Sequence, residues 1–308
     1  MSGLPARGAA TISWRTLIWL VPAVLGVLVV AVLAAIGLRQ LPAVQDFIAQ
    51  YPGSADLPEG APVGFPAWLA WQHFFNGLLL LLIIRTGWRV RTVKRPAAMW
   101  TRRNTGWLRT KNPPRSISLD LWLHLSLDAL WVLNGLLFYV LLFATGQWMR
   151  VVPTSLDVFP HAVSVAIQYA SLQWPTENGW VNYNALQVLA YFVTIFIAAP
   201  LAIITGIRIA AAWPANARIN RFYPVTVARA VHMPVMLYFV LFIVAHVTLV
   251  LATGALRNLN HMYALNDGTS WVGFWIFAAS LIVMAVIWVA ARPIVLRPIA
   301  ALTGRVGK

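Results

Sequence analysis

Apolar residues run through this chain in long unbroken stretches rather than in alternation. Six stretches, at about residues 16–38, 66–85, 120–144, 185–209, 228–252 and 271–291, are long enough to cross a hydrocarbon layer of about 30 Å, which takes about 20 helical residues. Their continuity predicts helices, because strands of a membrane barrel alternate apolar and polar positions. The expected fold class is all-α: a polytopic membrane helix bundle of about six transmembrane helices with a four-helix core. The first stretch is long for a signal peptide and lacks a convincing cleavage site, so it reads as a helix. Pro22, Pro200 and Pro234 fall within or near the ends of spans, where neighbouring helices tolerate a kink.

Polar punctuation is sparse and repetitive. Thr-Gly closes four spans, at Thr86-Gly87, Thr145-Gly146, Thr205-Gly206 and Thr253-Gly254, and reads as four helix C-caps. Between spans, residues 39–65 are rich in proline and glycine. The segment 147–184 contains DVFPHAVSVAIQYASLQWP, with Pro160 suited to the first turn of a short surface helix. Tryptophans such as Trp68, Trp71, Trp148, Trp180 and Trp271 suit the two membrane interfaces.

Composition agrees with a membrane protein and narrows the chemistry. Of 308 residues 60% are hydrophobic and 10% charged, against about 25% charged in soluble domains. There is no cysteine. That excludes cysteine-held iron–sulfur clusters, thiolate-ligated haem, covalent haem attachment and disulfides. Iron held here needs histidine, carboxylate or methionine.

The net charge of +15 is informative through its distribution. Ten basic residues and no acid lie between Arg85 and Arg115. Arg208, Arg218, Arg221 and Arg229 follow, with Arg7 and Arg15 at the N-terminus and Arg292, Arg297, Arg305 and Lys308 at the C-terminus. The alternate loops hold only Arg39, Arg150 and Arg257, beside Asp46, Asp56, Glu59, Asp157, Glu177 and Asp267. The positive-inside rule then places the chain in the inner (cytoplasmic) membrane with both termini cytoplasmic. The basic loops read as topology signals and contacts to anionic membrane lipid. No motif points to nucleic acid.

With that orientation the histidines sort by depth. His232 and His246 share one span, 14 residues apart. Fourteen helical steps bring the second ring to within roughly 40° of the first and about 21 Å along the axis. His246 lies in the outer half of the membrane, with His73; His232 lies in the inner half, with His124. Two imidazoles at each of two depths suit two stacked b-type haems, His73/His246 outer and His124/His232 inner. Axial imidazoles on both faces of an iron favour electron transfer over oxygen chemistry. The plainer reading of any single intramembrane histidine is a hydrogen bond to a neighbouring helix.

Other polar residues in the spans carry weaker expectations. Arg85 and Arg208 end their helices and suit either haem propionates or topological anchoring. Asp128, one turn beyond His124, is an interfacial carboxylate or a group that orients an imidazole or passes protons. Asn76 and Asn134 suit bridges between helices. Gly77 and Gly135 suit close approach of a macrocycle or ordinary helix packing. His161 and His261 fall in outer loops and read as solvated surface residues, with contact to quinone or a partner as the alternative.

One histidine in each of two successive spans, followed by a span with H-x13-H, resembles the di-haem membrane cytochrome b subunits of formate dehydrogenase, nickel–iron hydrogenase and thiosulfate reductase, and the broader bacterial cytochrome b561-like group. The resemblance covers roughly residues 66–292 and departs in the extra helix before the first histidine span. It implies the pairing already reached from depth. It also implies an electron-transfer subunit without substrate chemistry of its own, working between a molybdenum or iron–sulfur partner and quinone.

The organisation expected is an extra helix and outer loop at 1–65, the di-haem bundle at 66–292 and a basic cytoplasmic tail at 293–308. The rival reading is a transporter or a proton- or metal-conducting protein lined by histidines and lacking haem. That reading expects intramembrane carboxylates, of which Asp128 is the main example.

Overall fold

The computed structural model describes residues 14–106, 109–111, 113–174, 178–210, 213–214 and 218–307, the side chains of 15–17 excepted. Arg7, Glu177, Lys308 and the side chain of Arg15, all used above to orient the chain, lie outside the described residues. The elements in order are α1 (Trp14–Arg39), α2 (Pro42–Gln50), α3 (Ala67–Thr92), β1 (Met99–Arg102), β2 (Ile117–Ser118), α4 (Leu119–Ala144), α5 (Val158–Ala170), α6 (Ala185–Phe192), α7 (Ala199–Ile209), α8 (Val225–Ala252), α9 (Ala255–Leu259), α10 (Val272–Ala290), α11 (Pro293–Ala301) and β3 (Gly304–Gly307). The protein is an all-α bundle. Six of its helical stretches are long and apolar enough to cross a membrane, α6 and α7 forming one of them. This is the layout of a multi-pass membrane protein.

Between α6 and α7 the helix widens into a π-type turn at Val193–Ala198, just ahead of Pro200. Proline lacks an N–H and its ring crowds the preceding turn, and a π-bulge is one way a helix absorbs that. The Tyr139 hydroxyl donates to the Ile195 carbonyl inside this turn at 2.5 Å.

Two compact units divide the chain. One contains α1, α2, α5 and residues 184–186; in it α1 packs on α5 and α2 also touches α5. Here α5 begins with Val158-Phe159-Pro160, the short helix expected from the sequence. The other unit holds the remaining spans. In it α3 packs along α4 and α7 along α8, with α10 against α3. Leu78, Leu82 and Leu127 form one buried cluster with Met284 and Ile287; Ala198, Val235 and Phe239 form another with Trp131. Outward positions are apolar as well: Leu133, Leu136, Leu137 and Val140 of α4 are exposed. Polar pairing goes inward instead, as where the Trp131 indole donates to Asn76 Oδ1 at 3.1 Å. Such a distribution suits lipid as the surrounding solvent.

Three departures from the sequence reading matter. Thr86-Gly87 and Thr205-Gly206 do not end their helices; α3 runs on to Thr92 and α7 to Ile209. Arg85, Arg89 and Arg91 lie within α3 and Arg208 within α7. Thr145 and Thr253 do cap α4 and α8, followed by Gly146 and Gly254 at positive φ. The segment read as a basic tail forms α11 and β3. With β1 and β2 it completes a small antiparallel sheet in the order β2-β1-β3, pairing Trp100 with Ile117 and Val306. Strands of two to four residues leave no usable periodicity.

Candidate functional site

The helices bring His73 of α3 and His246 of α8 together, with ring centroids 6.1 Å apart and planes at 55°. His246 stacks on Phe242, one turn earlier, at 5.7 Å and 5°, and meets the edge of Tyr191 at 6.2 Å. His73 meets Tyr263 edge-on at 6.0 Å. Its Nδ1 is buried and, among the described residues, has no hydrogen-bond partner. A metal–imidazole bond is about 2.0 Å and a ring nitrogen lies roughly 1.1 Å from the ring centre, so two imidazoles in line across one metal place their centroids about 6 Å apart. The first pair has that spacing.

The second pair, His124 of α4 and His232 of α8, is built differently. Thr86 Oγ1 lies 2.9 Å from His124 Nδ1, and Thr205 Oγ1 lies 2.8 Å from His232 Nδ1. The glycine after each threonine faces the same ring. A Cβ on Gly87 would stand 3.1 Å from His124 Cε1, and one on Gly206 would stand 3.6 Å from His232 Cε1. His232 lies within electrostatic reach of both His124 and Asp128. The Asp128 carboxylate is 3.7 Å from His124 Nε2, too long for a hydrogen bond.

The remaining expected residues separate clearly. Arg85 donates to the Trp288 carbonyl at 2.5 Å and the Ala291 carbonyl at 3.0 Å, and stacks over the Trp288 ring, so it caps the end of α10. Arg208 is buried; its Nε donates to the Tyr223 carbonyl at 2.7 Å and its guanidinium lies over Trp213. Asn76 bridges α3 and α4 through Trp131, while Asn134 Nδ2 is buried without a partner. Gly77 packs on Met284, and a Cβ on Gly135 would meet nothing. Gly87 and Gly206, rather than Gly77 and Gly135, are the glycines that face the histidines.

His261 is not a solvated surface residue. It is only 2% exposed, packed against Phe65 and Trp180, with Nε2 2.7 Å from Asp267 Oδ1. Burial pushes its pKa below the ordinary imidazole value, and the cations Arg257 and Arg150 push the same way, against the pull of Asp267. Asp267 is held well below the usual carboxylate range by Arg257, by His261 and by Asn178. Beside them Arg150, 1% exposed, donates to the carbonyls of Gly64 at 2.8 Å, Gly179 at 2.5 Å and Trp180 at 3.3 Å, between the rings of Phe65 and Tyr183. A fork of donors that ties two loop segments by three of their carbonyls is a structural anchor. His161 accepts from the Gly53 N–H at 3.1 Å and meets Tyr51 edge-on.

Among the described residues no group of three or more His, Cys, Asp or Glu side chains is placed to hold a bare metal ion. The histidines of the spans come in twos, so a metal held between two of them would need its other donors from a bound ligand. No protein-family model, curated protein or solved structure matches the chain.

Proposed function

We propose that this protein is a membrane electron carrier holding two b-type haems, one between His73 and His246 and one between His124 and His232. It moves electrons between a redox partner subunit, of the molybdenum or iron–sulfur kind, and the quinone pool. The observation that carries this reading is the 6.1 Å separation of the His73 and His246 rings on two apolar helices. The second pair supports it, because each Nδ1 is engaged by a threonine and each ring faces a glycine.

Haem held by two imidazoles supplies reversible one-electron transfer and keeps no coordination position open for oxygen. The chain's part is to hold, space and shield. Helix α8 gives a ligand to each site, which sets them about 21 Å apart along its axis. Phe242 holds the His246 ring flat against it, and the apolar helices keep water away. Arg208 is better placed than Arg85 to meet a propionate, since Arg85 spends both terminal nitrogens on α10 carbonyls. In this reading the basic loops face the cytoplasm and the His73/His246 site lies in the outer half of the membrane.

The test is a dithionite-reduced minus oxidised spectrum of the purified protein, with a pyridine haemochrome assay. Two non-covalent b haems per chain are expected. A colourless polypeptide from haem-replete cells rules the reading out.

A further inference from the structure

Two antiparallel helix pairs, α3/α4 and α7/α8, carry the same local arrangement. A Thr-Gly on the first helix of each pair meets a histidine on the second: Thr86-Gly87 with His124, and Thr205-Gly206 with His232. The hydrogen positions follow from the network. The Thr86 hydroxyl lies 2.8 Å from the Leu82 carbonyl and 3.1 Å from that of Ile83; the Thr205 hydroxyl lies 2.6 Å from Leu201 O and 3.1 Å from Ala202 O. A hydroxyl has one hydrogen, and a carbonyl can only accept. Each threonine therefore donates to its own helix and accepts from the imidazole. That assigns the proton to Nδ1 in both histidines and leaves the lone pair on Nε2.

The first pair lacks this device. His73 Nδ1 is buried with no partner, and His246 rests on rings. An imidazole that donates from its far nitrogen is a more basic ligand, and a more basic ligand favours the oxidised metal. The Asp128 carboxyl group lies 3.7 Å from His124 Nε2, at the second site.

Building on the di-haem reading, we propose that Thr86-Gly87 and Thr205-Gly206 are a duplicated clamp. The clamp fixes the tautomer and rotation of His124 and His232, and it gives their site the lower reduction potential of the two. The threonines are positioning residues that act through the histidines.

The experiment is a potentiometric titration of the full-length purified protein, read by visible spectra and by the low-spin EPR signals. It compares wild type, Thr86→Val, Thr205→Val, the double variant, the corresponding Ser variants, and Thr145→Val as a control at a Thr-Gly that only caps a helix. In the Val variants the lower of two potential steps should rise and its EPR signal shift, while the higher step stays in place. Haem affinity at that site should fall about 10–100-fold, the usual cost of losing such a partner. Ser should restore both, and Thr145→Val should be silent. Loss of one haem in the double variant, restored by Ser, also supports the clamp. An unchanged lower step in the double Val variant, a shift confined to the higher step, or failure of Ser to restore overturns it. Wild type with two haems and unresponsive threonines refutes the clamp alone; wild type without haem refutes the di-haem reading too.

Discussion

His73, early in α3, and His246, near the end of α8, face each other with their ring centres 6.1 Å apart. Two helices distant in sequence thus place two polar rings side by side within an apolar bundle, where polar groups are expensive to bury.

Single-ligand variants should separate the two sites. His73→Ala and His246→Ala should each lose the same one of two haems, and His124→Ala and His232→Ala the other. Haem-to-protein ratios with reduced spectra measure this. Variants of one pair that remove different haems would break the pairing.

The two histidine-facing glycines should respond with opposite sign. Gly87→Ala places a methyl 3.1 Å from His124 Cε1, so the ring must shift, at a cost of about 1–3 kcal/mol. Gly206→Ala meets His232 at 3.6 Å, an ordinary contact, and should gain about 0.5–1 kcal/mol of helix propensity. Thermal unfolding and haem retention of the two variants check the contrast.

Arg150 should be a stability residue. Arg150→Leu removes a donor from the carbonyls of Gly64, Gly179 and Trp180. Gly64 O keeps the Gln147 amide and Trp180 O keeps the Gly64 N–H, so the Gly179 carbonyl is the one stripped, and a buried unsatisfied group costs about 1–3 kcal/mol. The variant should melt well below wild type and be cut faster by protease in these loops. Arg150→Lys should rescue only in part, since an ammonium cannot replace the planar fork. A wild-type melting curve for Arg150→Leu would contradict the anchor.

The loop around His261 should weaken as pH falls. Its folded pKa lies below the ordinary imidazole value, chiefly through burial. The unfolded chain therefore takes up a proton that the folded chain refuses. The contribution is complete above about pH 6.5 and declines as pH drops toward the folded value. Amide protection factors in residues 255–272, taken relative to the intrinsic exchange rate at each pH, should fall between about pH 7.5 and 5, and His261→Gln should flatten that dependence.

Gly304 holds the sheet closed over Trp100. A Cβ there would lie 2.2 Å from Trp100 Nε1 and 2.6 Å from the Thr101 carbonyl. Trp100 itself donates to the Ala300 carbonyl at 3.0 Å. Gly304→Ala should destabilise by about 1–3 kcal/mol and expose residues 293–307 to protease. Unchanged protection of that segment would count against the sheet's role in holding it.

The spans were legible because lipid as solvent demands long apolar runs, and a run of that length leaves helix as the only economical backbone. The meeting of His73 with His246 was legible for a related reason: helical rise converts sequence position into height along a bundle. The sheet was not legible, since its strands are too short for a period and its outer strand comes from the far end of the chain. His261 was read as a surface residue because loop position alone says nothing of what packs over it. Thr86-Gly87 and Thr205-Gly206 read as helix caps because glycine favours a C-cap, and nothing along one segment shows that a histidine of the next helix lies against them.

The order of apolar runs, the lack of cysteine and the placing of four histidines within spans are properties of the sequence alone, since they depend on composition and on distance along one helix. Which ring meets which partner was decided only by the tertiary structure. Packing α3 on α4 and α7 on α8 brings Thr86 to His124 and Thr205 to His232, across helix faces that no periodicity along a single segment can relate.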